Sequence, residues 1–135
     1  MTIRELLPSL PVLTENEISA PDAIRSLLIS KAAQEAPVLV VAPNSRIADL
    51  LKSEISSISE FQISEFPAWE TLPHERLSPS SDTVAKRIST LHALKDRERN
   101  WVVVAPIRAV IHKINSQIVD TEPIYLERGK EFDLT

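Results

Sequence analysis

Histidine is the first place to look for metal or general-base chemistry, and the chain has three, His74, His92 and His112. No two stand four residues apart and no His-Glu-x-x-His motif surrounds His74, so the spacing that puts two imidazoles on one helix face is missing. His92 and His112 fall near the ends of predicted helices, where a solvated or capping role is sufficient. Glu70, Glu75 and Asp82 lie in or beside one long loop. Paired carboxylates act as acid and base only when held at a fixed separation in different environments, and spacing alone does not supply that. Ser78, Ser80 and Ser81 lack a Gly-x-Ser-x-Gly elbow, and Ser81 has a sufficient role as a helix cap. The absence of cysteine removes disulfides, thiolate zinc sites and thiol nucleophiles. These residues assign no catalytic group and no metal ligand.

Phosphate chemistry is excluded by a single count. The 135 residues hold ten prolines and one glycine, Gly129 near the C-terminus. Without glycine a loop cannot bring its backbone N–H groups close around a phosphate, so neither a Walker A loop nor a dinucleotide fingerprint is present. The stretch Glu17-Ile18-Ser19-Ala20-Pro21-Asp22-Ala23-Ile24-Arg25, ahead of the first predicted helix, puts a carboxylate where a nucleotide phosphate would sit. No acidic pair follows Val104, where the chain reads Ala105-Pro106. No nucleotide-binding residue is assigned. Asn16, Asn44, Asn100 and Asn115 stand where turns are expected, and asparagine tolerates left-handed geometry.

Fifteen basic residues against nineteen acidic ones give a net charge of −4. In Lys95-Asp96-Arg97-Glu98-Arg99 the signs nearly cancel, which is a solvated helix end rather than a phosphate-binding patch. A stand-alone nucleic-acid-binding domain would have to gather Lys86, Arg87, Arg97, Arg99, Arg108 and Lys113 on one face. A hydrophobic fraction of 43% is too high for disorder. No basic-then-apolar leader opens the chain and its longest apolar runs are far too short for a bilayer, so a soluble, cytoplasmic protein with no membrane partner is expected.

The elements that must position these residues alternate. A helical turn (Ile3, Leu6, Leu7) and a Pro-rich arm lead to an amphipathic helix over residues 21–35, with Ile24, Leu27, Leu28 and Ala32 at helical spacing and Ser19 and Pro21 at its start. Val38-Leu39-Val40-Val41-Ala42 is a β-branched run of the kind buried on both faces of a parallel sheet. A second helix carries Ile47, Leu50, Leu51, Glu54, Ile55 and Ile58. Residues 61–66 alternate as a strand nearer the sheet edge, and a third helix begins at Ser81 and Asp82 with Val84, Ile88, Leu91 and Leu94 on one face. Trp101 to Ala105 is the next strand, Pro106 starts a short helix holding Ile107, Val110, Ile111 and Ile114, and residues 123–126 form a last strand before a turn at Arg128-Gly129-Lys130. Every crossover is long enough for a helix, which predicts a parallel sheet covered on both faces, a three-layer α/β sandwich.

The long loop is the most distinctive stretch, because fifteen or more irregular residues in a compact domain are unusual and its Trp69, Leu72 and Leu77 argue against disorder. These apolar groups either pin the loop to the sheet or offer a surface to another domain. The run Phe66-Pro67-Ala68-Trp69-Glu70-Thr71-Leu72-Pro73-His74-Glu75-Arg76-Leu77-Ser78-Pro79-Ser80-Ser81-Asp82-Thr83, with Arg87, Leu91 and the strand-turn from Val102 to Val110, closely resembles the N-terminal region of bacterial transcription-repair coupling factors, the Mfd family. The resemblance runs from about residue 20 to the end of the chain, and Pro79 to Thr83 is also similar to the excision-repair helicase UvrB.

That resemblance implies a multidomain, ATP-driven DNA translocase that removes stalled RNA polymerase from damaged double-stranded DNA and recruits the nucleotide-excision machinery through UvrA. ATP and Mg would belong to the full-length protein; no cofactor is expected in this chain. Its UvrB-like module has lost the ATP-binding motifs, so the fold expected is a degenerate RecA-like (P-loop helicase-like) subdomain without the phosphate loop. The implied organisation is an arm over 1–19, the RecA-like subdomain over 20–116 and the start of the following subdomain over 117–135. The UvrA-binding surface falls mostly in that following part, and the fragment itself is expected to be a monomeric, non-catalytic scaffold contacting other domains of its own protein. Trp69, Glu70, Leu72, Pro73, His74, Arg76, Pro79, Arg87 and Arg108 match the family pattern, as packing or docking residues.

Overall fold

A computed structural model describes residues 18–71, 77–95, 100–114 and 128–129. In chain order the elements are α1 (Asp22–Glu35), β1 (Val38–Ala42), α2 (Ser45–Ile58), β2 (Gln62–Glu65), α3 (Ser81–Ala93), β3 (Trp101–Pro106) and α4 (Ile107–Val110). The boundaries follow local chemistry. Asn44 caps α2 by accepting the Ile47 N–H at 3.0 Å. Ser80 caps α3 through the Thr83 N–H at 3.2 Å. Pro37 and Pro43 bracket β1, since neither can donate to a sheet ladder.

The three strands are parallel in the order β1-β3-β2. Val40 lies beside Val104 and Ile63 beside Val102, so β3 is central and its Val102, Val103, Val104 and Ala105 are buried on both faces. Because side chains alternate across a strand, one face gathers Val40, Ala42, Val102 and Val104 against Ala33 of α1 and Ala48, Leu51 and Ile55 of α2. The other gathers Val103 and Ala105 with Phe66 and Ala109, and Leu91 of α3 and Leu94 at its C-cap pack there. Helices therefore lie on both sides of a parallel sheet, as the alternating pattern predicts. Residues 66–71 and 77–80, the described parts of the long loop, carry no regular structure.

Several expectations are corrected. β1 is not buried on both faces: Leu39 is 52% and Val41 45% exposed, because α3 covers the β2–β3 half of that face and only the single turn of α4 reaches towards β1. The buried stripe of α1 is Ser26, Ser30 and Ala33 rather than its aliphatic residues, with Ile24 exposed; small side chains let α1 approach α2 closely. Ser30 Oγ is buried with no hydrogen-bond partner among the described residues. α3 buries Thr83, Arg87 and Thr90 most deeply, while Val84, Ile88, Leu91 and Leu94 are half-buried. The cap of α3 is Ser80, not Ser81, and Pro21 caps α1 without a side-chain bond. No described non-glycine residue takes a positive φ; Asn44 caps α2 instead, and the Asn100 amide donates to the Gln34 carbonyl at 3.1 Å. α4 ends at Val110, short of Ile114. Gly129 sits in the expected turn with φ +90°. The arm over residues 1–17, the strand over 123–126, Asn16, Asn115 and the 96–99 part of the charged run lie outside the described residues.

Candidate functional site

The loop leaves the sheet at Phe66, whose N–H still donates to the Val104 carbonyl at 2.9 Å, so its first residue is held in register with β3. From α3, the Arg87 guanidinium enters between two aromatic rings, 3.9 Å from the Phe66 centroid and 4.3 Å from that of Trp69. Its Nη1 donates to the Pro67 carbonyl at 2.6 Å, a short charge-assisted bond. Stacking on aromatic faces suits the flat, weakly hydrated guanidinium and not a lysine ammonium. Arg87 is buried, which lowers its pKa from the ordinary arginine value by desolvation.

Glu70 forms the second half of the clasp. Its carboxylate accepts from Ser80 Oγ at 2.7 Å, from the Ser80 N–H at 3.2 Å and from Thr83 Oγ1. The Ser80 hydroxyl thus donates to Glu70 while accepting the Thr83 N–H, joining the end of one loop arm to the first turn of α3. The hydroxyls of Ser80 and Thr83, then the Ser80 N–H, hold the Glu70 carboxyl down at about 2, far from the 4.5 of a free glutamate. Arg87 and Glu70 therefore fasten the loop to α3 at two points, while the Phe66 N–H holds its start to β3.

Among the other family-pattern residues, Trp69 is half-buried in the Arg87 stack, Pro79 is half-buried just before the α3 cap, and Arg108 is exposed on α4, apart from the clasp. Leu72, Pro73, His74 and Arg76 lie outside the described residues. Leu77, at the returning arm, is 71% exposed. Of the basic residues that would have to form a nucleic-acid face, Arg87 is stacked inside, and Lys86 pairs with Asp82 at 3.0 Å and with Glu65 at 3.8 Å. Those carboxylates raise the Lys86 pKa, chiefly through the Asp82 hydrogen bond. At the start of α1, Asp22 in the first turn is bridged by Arg25 at 2.7 Å, so the positive end of that helix already faces a carboxylate.

Sequence reasoning missed Phe66, Ser80, Thr83 and Thr90 as participants. The available signal was their spacing: Thr83, Arg87 and Thr90 recur at four and three residues, one helix face, and Thr90 Oγ1 donates to the Glu65 carbonyl at 2.8 Å. A stripe of hydroxyls and one arginine reads as solvent-facing by hydrophobicity, yet each member has a partner beneath it.

The chain matches no protein-family model. It is 36% identical over 123 residues to the transcription-repair-coupling factor of Mycobacterium tuberculosis, which is 87% of this chain and 10% of that protein. It is also 32% identical over 78 residues to that of Escherichia coli and 30% over 99 residues to that of Haemophilus influenzae, covering 58% and 73% of this chain. The chain spans about a tenth of the length of the curated relatives it matches.

Proposed function

Starting from a chain related over most of its length to a segment of the transcription-repair-coupling factors, we propose that it serves as a non-catalytic scaffold of such a factor. On this reading it is a degenerate RecA-like subdomain of a UvrB-like module, spanning residues 20–116, in a cytoplasmic DNA-repair protein. The larger protein uses ATP and Mg to move on double-stranded DNA, displaces stalled RNA polymerase and hands the lesion to UvrA. This segment contributes position rather than chemistry.

One observation carries the proposal: the ionisable side chains described at this loop, Glu70 and Arg87, are already engaged by groups of the same chain. Glu70 is bound to three donors at the head of α3, and Arg87 is stacked between Phe66 and Trp69. A general acid must exchange its proton near working pH, and a carboxyl at about 2 with its oxygens occupied is unsuited to that. The same bonds make the loop a firm platform against which neighbouring domains pack. Asp22 beside the first turn of α1 agrees, since a carboxylate there repels a nucleotide phosphate.

The test is titration calorimetry of this chain with Mg-ATP. The scaffold reading predicts no saturable heat at millimolar nucleotide, and binding at micromolar affinity would contradict it.

A further inference from the structure

We draw no further inference here: the strongest candidate, the open groove along the β2 edge between α2 and α3, lined by Lys52, Glu65, Lys86 and Ser89, carries nothing, because both lysines already pair with carboxylates of the same chain and nothing in the structure shows what covers it.

Discussion

Along the β2 edge, two lysines from two helices converge on Glu65 and a threonine donates to its carbonyl; along the β1 edge, Leu39 and Val41 are exposed on a strand that carries no charged residue. Both are outer strands of one three-stranded parallel sheet, but β1 is wholly apolar whereas β2, Gln62–Glu65, has one apolar residue among polar ones. The flanking helices widen that difference. α3 and α2 bring long cations and hydroxyls over β2, whereas on the Leu39 and Val41 face of β1 one turn of α4 is the helix that approaches among the described residues. An edge that is to remain an edge is blunted, and an edge left apolar is one that something covers.

The largest effect expected from breaking the β2 side comes from Arg87→Ala. The change empties the space between Phe66 and Trp69 and orphans the Pro67 carbonyl. We expect a loss of roughly 2–4 kcal/mol, from two aromatic contacts and a charge-assisted hydrogen bond. Urea unfolding measures it, and Arg87→Lys should recover less than half, because an ammonium cannot stack flat on two rings.

Glu70→Gln has a smaller and pH-dependent effect. The Glu70 carboxyl is lowered in the folded chain, so its contribution is fully present above the unfolded value near 4.5 and is lost as pH falls towards about 2. Thermal unfolding between pH 7 and 2 should therefore show the wild type losing stability across that window more steeply than the variant. Parallel curves would show that the clasp seen here is not made in solution.

The smallest change in stability is expected from Lys52→Ala with Lys86→Ala, since exposed ion pairs contribute about 0–1 kcal/mol. Its consequence should appear elsewhere. With the lysines removed, the β2 edge keeps the Glu65 carboxylate but loses the cations over it, and light scattering should record increased self-association at unchanged unfolding midpoint. If the variant stays as monodisperse as the wild type, the lysines are not what distinguishes the two edges.

Much of this was legible in the sequence. The alternation of apolar runs with helical periods gave the parallel sheet, because strand and helix periods differ and crossovers of that length must hold a helix. Residues 62–65, Trp101 to Pro106 and the caps at Asn44 and Ser80 sit within a residue of expectation. Two things were not legible. Hydrophobicity misranks burial in α1 and α3: Ser26 and Ser30 are buried because small side chains suit close helix packing, and Thr83, Arg87 and Thr90 because each has a hydrogen-bond partner. β1 was misjudged for the converse reason: its apolar run reports what the strand is suited to, including neighbours that the described residues do not supply. The motif residues Glu70 and Arg87 could be singled out by pattern, but only the geometry shows both joining the outgoing arm of the loop to α3.

The measurement that bears most directly on the unfinished edge is the thermal unfolding midpoint of the full gene product carrying Leu39→Lys with Val41→Lys. Both positions are exposed among the described residues, so on a true surface two lysines would be tolerated within about 0.5 kcal/mol. If another part of the protein covers them, two charges are forced into an apolar layer, and the midpoint should fall by roughly 5 °C or more. An unchanged midpoint would contradict the account, because it would mean that the β1 edge stays open in the whole protein.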